Sequence, residues 1–404
     1  MDNVTHSLVG IAFGELWYNF KKNKGGGTAL TRGGTVAASL LGNNLPDFDF
    51  LYASGTDPQL GYILHHRGHT HTLLVGLLFV LFPVLATGLK RVTAKTRSRF
   101  EFMGTVGLGI WLHILLDSFN SYGVHPFWPL DNNWYYLDTL FILEPLAWVA
   151  LLPSLIFSTE NKILRVAFGI FFFGIVAATW ALPYASWQAA ALTTIFGLAV
   201  WYLNLHKARV RRFQIGLAAF LGVVLLFVLT GRMVEGHYRK RVQTENAGRR
   251  IVDTVLSPLP TNPFCWMLIS IERGDQNHYF LRRGVVAAWP AVHPVSLCPT
   301  FRNEQGVAPL FAVLETEVRR YAWVGEYQGD ETLLRDLQKN NCHIRAFLEF
   351  ARAPFVVDLG DSWHVGDLRF DFRSRLGFAR YVFPKTPTSC PKTSTPWTPP
   401  TNRW

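Results

Sequence analysis

Charge is scarce in this 404-residue chain: 17% of its residues are Asp, Glu, Lys or Arg, against roughly 25% in an ordinary soluble domain. The shortage is uneven. Residues 1–231 carry 27 charged side chains, 16 of them Lys or Arg, whereas residues 232–404 carry 40. Cysteine is confined to Cys265, Cys298, Cys342 and Cys390, all in the second part. Heptads, internal repeats and a phosphate-cradling glycine loop are missing, and Gly25 to Gly27 reads as a flexible cationic linker. The amino terminus offers no cationic segment followed by a small-residue cleavage site. For the bulk of the chain these shortages exclude disorder, a collagen and a disulfide mini-scaffold, and they argue against a single water-soluble globule.

Long apolar runs are what the chain has in place of charge. Six of 17 to 19 residues, at 72–89, 102–119, 140–157, 166–182, 187–205 and 213–230, can span about 30 Å of hydrocarbon. Their only ionisable acids, bases or imidazoles are His113, Asp117 and Glu144. Shorter runs at 7–20 and 35–45 read as short or re-entrant helices. The cations gather in alternate loops: Lys21, Lys22 and Lys24; Lys90, Arg91, Lys95, Arg97 and Arg99; Lys162 and Arg165; Lys207, Arg209, Arg211 and Arg212. Loops 120–139 and 183–186 contain none. The positive loops should be cytoplasmic, which places His6, Asp47, the HHRGHTH stretch and everything after Gly231 on the outer side. Arg232, Arg239, Lys240 and Arg241, close behind the last run, pull the other way. A net charge of +11 is thus explained by membrane topology, and no nucleic-acid partner is expected.

The fold expected is mainly α: a multi-span helical membrane bundle over 1–231, a smaller α+β extramembrane domain over 232–384, and a disordered Pro/Thr-rich tail over 385–404. In the second domain, strands are expected at 264–271 and 279–282 around a turn at 274–277, a helix at 307–321, and short strands at 355–357, 368–372 and 378–383. The four cysteines allow up to two disulfides in any of three pairings, and free buried thiols fit equally well.

Seven of the thirteen histidines fall within residues 1–125, most of them beside carboxylates. His113 and Asp117 are four apart and share a helix face. Pro46 favours a turn that projects Asp47 and Asp49. HHRGHTH contributes His65, His66, His69 and His71 just before the first strong run, and His6 precedes the first short one. Four distant segments therefore bring nitrogen and oxygen ligands to one depth. Such a set suits Zn, Fe or Mn. It exceeds what one four-coordinate ion needs, so one to three divalent ions, zinc first, are expected. Arg67, the single cation of the outer loops, would clamp a substrate oxyanion, and Asp49 would be a ligand, a general base or a turn cap. His65 and His69 are exposed loop residues or outer partners. His125, His206, His237, His278, His293, His343 and His364 are read as hydrogen-bonded anchors, and Glu144 needs a partner or a wet cavity.

The segments MDNVTHSLVG, LLGNNLPDFDF, HHRGHTHTLL and WLHILLDSFNSYGVHPFWPL, together covering roughly the first 145 residues, resemble the YdjM-like, LexA-regulated inner-membrane family of metal-dependent hydrolases. The family pattern HRGxTHS reads HRGHTHT here, with Thr72 for the usual Ser. The segment PLPTNPFCW is similar to the family's post-membrane domain. A more distant similarity links the order of His, Asp and HxxxD to zinc-dependent phospholipase C and P1-type nucleases. The resemblance implies an inner-membrane, multi-pass protein with its site and second domain on the periplasmic side. By the same analogy His6, Asp47, His66, His71, His113 and Asp117 are metal ligands, and metal-activated water cleaves a phosphoester of a lipid or lipid-linked substrate. The competing expectations are a metal or proton transporter and a noncatalytic scaffold with a structural metal.

Overall fold

A computed structural model describes all residues except 24–27, 88–93, 182–184, 246–247, 300–305, 315–317, 373–377, 388 and 393–394. The linker at Gly25 to Gly27, the cations Lys24, Lys90 and Arg91, and loop residues Pro183 and Tyr184 lie outside the described residues. Helices α1 (Asn3–Asn23) and α2 (Arg32–Gly42) form the two short apolar runs. A 3-10 turn over Leu45–Asp49 leads into α3 (Phe50–Thr56) and α4 (Gly61–His65). There follow α5 (Leu73–Thr87), α6 (Ala94–Ser118), α7 (Pro145–Ser158), α8 (Lys162–Ala181), α9 (Trp187–Asn204) and α10 (Arg209–Glu245). Three of the described stretches are long and apolar enough to cross a membrane: Thr96–Ser118, Lys162–Ala181 and Arg209–Thr244.

The run 140–157 yields a helix only from Pro145. Glu144 is extended, with φ −97° and ψ 103°, as steric conflict with a following proline requires. Just upstream, Leu140 N–H donates to the Phe119 carbonyl at 2.9 Å, so the start of this run is tied to the end of α6. At the far end of the bundle Lys21 meets Glu101 at 3.1 Å and Arg209 meets Glu15 at 2.8 Å. Among the described cations, Lys21, Arg97 and Arg209 therefore lie there, opposite His6, His113 and Glu144.

The compositional change at Gly231 is not a structural break. Helix α10 runs straight through it, and a Cβ on Gly231 would stand 2.9 Å from the Trp266 ring. One apolar core runs from Leu8 and Leu146 through Phe227 and Tyr238 to Trp266 and Trp323. The cations behind the last run are absorbed locally: Arg232 and Arg239 each pair with Glu235 at 3.0 Å, and Arg241 lies over the Tyr321 ring.

Strands β1 (Arg250–Leu259), β2 (Asn262–Arg273), β3 (His278–Ala287) and β4 (Tyr321–Asp330) make an antiparallel meander. After α11 (Glu331–Asn340) and α12 (Cys342–Leu348), strands β5 (Pro354–Asp358), β6 (Ser362–Asp367) and β7 (Arg380–Pro384) form a second sheet. The hairpin expected at 264–282 is present as β2 and β3. The described residues of 307–321 are not helical. Their backbone is engaged elsewhere: Val307 and Ala308 N–H donate to the Asp371 carboxylate at 2.9–3.0 Å, and Phe311 exchanges hydrogen bonds with Glu326. In place of a strand at 368–372 there is a 3-10 turn, Leu368–Phe370.

Of the possible pairings, Cys265–Cys298 and Cys342–Cys390 are formed. The described residues of the tail expected to be disordered pack instead. Trp397 is 2% exposed, donates its indole N–H to the Leu64 carbonyl at 2.8 Å and stacks on His125. One buried aromatic anchor and a disulfide offset the chain entropy that a Pro/Thr-rich composition otherwise leaves unopposed.

Candidate metal centre

Local sequence sets each ligand. Pro46 opens the 3-10 turn in which alternate residues face opposite ways: Asp49 is buried and Asp47 largely so, while Phe48 and Phe50 are about half exposed. On α6, His113 and Asp117 stand one turn apart, both fully buried. After α4 the chain doubles back through Arg67, in the left-handed region at φ 60°, and Gly68, whose Cβ would lie 2.9 Å from the His65 carbonyl oxygen. This reversal turns His71 inward and buries it completely.

Four groups then meet. The Nε2 atoms of His71 and His113 are 3.1 Å apart; His71 Nε2 lies 3.5 Å from Asp47 and 3.2 Å from Asp117 Oδ2; His113 Nε2 lies 3.5 Å from Asp47 and 3.3 Å from Asp117 Oδ2. A tetrahedral ion with ligand bonds of 2.0–2.1 Å demands ligand separations of about 3.3–3.4 Å. The second imidazole nitrogens are held from outside. His113 Nδ1 donates to the Asn43 carbonyl at 2.7 Å, and His71 Nδ1 stands 3.0 Å from Thr70 Oγ1, which itself donates to Asp49 at 3.0 Å. Both Nε2 lone pairs therefore point at carboxylate oxygens, and buried Asp117 Oδ2 has no hydrogen-bond partner among the described residues. Four acceptors facing one another in a buried space require a cation. The residues fit a divalent metal, and the two-nitrogen, two-oxygen donor set suits Zn, Fe or Mn. Burial lowers the His71 pKa, but its contacts with Asp117, Asp47 and Asp49 outweigh this and raise it to about 10. Without an ion, a proton supplies the positive charge.

The structure sorts the remaining expected residues. His6 stacks on His113 with ring centroids 3.8 Å apart, and its Nε2 faces Asp117 Oδ1 at 3.2 Å. The Met1 amino group and Arg67 Nη2 also occupy that oxygen. His66 stands outside the group of four. Its Nδ1 is 2.8 Å from Asp49 Oδ1, its ring stacks on Tyr62, and its side chain is 13% exposed. Asp49 is fully employed by His66, Thr70 and the Arg67 backbone N–H, which makes it an orienting group. Arg67, expected to clamp an anion, is buried, with Nη1 on Asn120 at 2.9 Å and Nη2 on Asp117 at 3.0 Å. Only its Nε lacks a partner among the described residues.

Sequence reasoning missed Thr70, Asn43, Asn120 and Trp397. Thr70 lies inside HTH and its hydroxyl could have been suspected; a backbone carbonyl such as that of Asn43 leaves no trace in sequence. Thr72 accounts for the Ser-to-Thr change, since its hydroxyl donates to the His69 carbonyl and accepts from Val75 N–H, which either residue can do. His69 and His125 both pack on Trp397. Glu144 caps α7 by accepting from Leu146 N–H at 3.1 Å and also accepts from Thr261 N–H at 3.2 Å. Cys265, His293 and Cys298 cluster as well, but the two sulfurs are joined as a disulfide.

Fold and centre together define a membrane protein with a buried carboxylate–imidazole cluster at one end of a helical region, next to an α+β domain. Residues 1–189 match the YdjM inner membrane protein family, and the matched stretch contains every residue of the cluster. The uncharacterized protein YfhP of Bacillus subtilis (strain 168) is 26% identical over 156 residues, a match that covers 38% of this chain and 45% of that relative. The chain thus spans less than half the length of the curated relative it matches. No solved structure matches.

Proposed function

We propose that the chain is a multi-pass inner-membrane hydrolase, with its centre and second domain on the periplasmic side, that cleaves a phosphoester of a lipid or lipid-linked substrate. The observation that carries this reading is the convergence of one ligand atom each from Asp47, His71, His113 and Asp117 within 4.8 Å of one another. They would hold one zinc-like ion; Asp117 Oδ1 already faces the Met1 amino group and Arg67, which argues against a second ion there. When bound, the ion would supply Lewis acidity toward a phosphoryl oxygen and lower the pKa of water.

The protein's own residues have distinct tasks. Asp49 orients His66, which is partly exposed beside the cluster and is placed to move a proton during cleavage. Arg67 and Asn120 hold Asp117 in position. Phe48, Phe50 and Leu51 turn outward from the segment that turns Asp47 and Asp49 inward, giving the centre an apolar lip suited to a lipid substrate. The position of Lys21, Arg97 and Arg209 at the opposite end supports a periplasmic centre. Transport is disfavoured because residues 7–14 of α1, between His6 and Glu15, include no ionisable side chain.

Metal analysis of the purified protein beside His113→Ala and Asp117→Asn tests the proposal, together with phosphate release from soluble and lipid phosphoesters. Metal in the unaltered chain, absent from both variants along with phosphate release, is the expected result. Unchanged metal content in both variants overturns it.

A further inference from the structure

A second feature lies apart from the cluster. A cavity of about 970 Å³ opens between α7, α8 and the β1–β2 turn, near the upper end of the roughly 300–1,000 Å³ typical of ligand pockets. Its walls are mainly carbon, with Trp148, Ile170 and Phe171 on the helices and Pro258, Pro260 and Met267 on the sheet side. Left empty, a space of this size forfeits packing on every wall, and an apolar cavity does not fill stably with water. One wall is α8, whose membrane-length apolar segment is only 17% buried inside the protein. The cavity is therefore open to whatever surrounds that helix.

Two buried polar groups mark the β1–β2 end. Thr261, which lines the cavity, is 1% exposed, has φ 62°, and its Oγ1 has no hydrogen-bond partner among the described residues. Glu144 is fully buried beside it; one carboxyl oxygen accepts from Thr261 N–H, and Oε2 is unpartnered among the described residues. An apolar chamber with unsatisfied polar atoms at one end matches an amphiphile. Across the chamber, Trp148 donates its indole N–H to Thr5 Oγ1 at 2.9 Å, one residue before His6.

We propose that this cavity holds one acyl chain of a bilayer lipid, entering past α8, with an ester or hydroxyl group of that lipid at Thr261, whose backbone N–H is held by Glu144. The site does not depend on the metal centre.

The test uses the full chain purified in detergent and returned to phosphatidylglycerol vesicles that carry a diazirine at mid-chain. Photolabelling followed by peptide mapping should mark Met267 and the 258–260 turn on the sheet side of the cavity. Label confined to exposed α8 residues such as Ile163 and Val166 overturns the proposal. A Cβ on Gly174, in the cavity lining, meets nothing within 4 Å, so Gly174→Trp can fill the space. It should cut labelling of Met267 by about tenfold or more, while metal content and hydrolysis of a soluble phosphoester stay unchanged. Undiminished Met267 labelling in that variant equally overturns the proposal. Should Gly174→Trp not fold, the label map of the unaltered chain decides alone. Failure of the hydrolase reading would show instead in metal and phosphate release, with the label map intact.

Discussion

Two clusters of charged groups in the described chain, one at the membrane end and one around the second domain, are built differently. In the second domain, Arg352 bridges Asp138 at 2.9 Å and Asp253 at 2.7 Å, Arg369 grips Asp367 at 2.8 Å, and Arg380 meets Asp371 at 2.9 Å. Each of these carboxylates has a guanidinium against it, and such closed networks hold structure. At the membrane end, Arg67 and the Met1 amino group both meet Asp117 Oδ1, and the Nε2 atoms of His71 and His113 aim into the space between Asp47 and Asp117 Oδ2. Both clusters are buried and both contain Asp and Arg, so burial of charge does not by itself identify a site. The arrangement does: in one cluster each carboxylate meets a guanidinium, and in the other Asp47 and Asp117 Oδ2 meet imidazole nitrogens instead.

The contrast can be broken most severely at the centre. Asp117→Asn should abolish metal retention as read by elemental analysis, with the α+β domain still folded by near-ultraviolet circular dichroism; retained metal would put the two clusters on the same footing. Next, Arg352→Met leaves the half-buried carboxylates of Asp138 and Asp253 without their guanidinium and should cost about 2–3 kcal/mol in denaturant unfolding, with metal stoichiometry unchanged in the fraction that remains folded. Removing Cys342 and Cys390 together, as a double Ser variant, should cost about 2–4 kcal/mol and free the Trp397 segment to proteolysis, again without metal loss. The mildest change sharpens the contrast. Thr70→Val, which removes the hydroxyl between His71 and Asp49, should weaken metal affinity by about 10–100-fold with little effect on stability.

The sign of the pH dependence follows from His71. Its pKa in the metal-free chain, about 10, lies above its unfolded value, so at pH 8 the empty centre carries a proton that an incoming ion must displace. Metal loading at pH 8 should release about one proton, and apparent affinity should rise with pH up to that value. Calorimetry in two buffers of different ionisation enthalpy measures this. Release of no proton would mean that His71 does not face the ion.

Much of the candidate site was legible in sequence because its ligands come in short, locally determined pieces. An i, i+4 pair on α6, a proline-initiated turn and a His-rich reversal each declare their geometry within a few residues. What misled was role. Asp49, Arg67 and His66 look like ligand, clamp and ligand in sequence, but their hydrogen bonds are already committed to one another and to Asp117. The tail misled for a similar reason: the composition of 385–404 reports weak local propensity, while Trp397 is fixed by a surface contributed by residues more than 250 positions away.

The sequence alone settled where apolar runs outweigh charge, which loops are cationic, and which residue types offer ligands, since each depends on a window shorter than one helix. Tertiary structure alone decided which imidazole nitrogens face inward, that Asp117 stands between an arginine and the two imidazoles, that α10 fuses the two halves, and that a large apolar chamber lies beside α8. Those outcomes require elements distant in the chain to pack at ångström separations, and no local pattern encodes such distances.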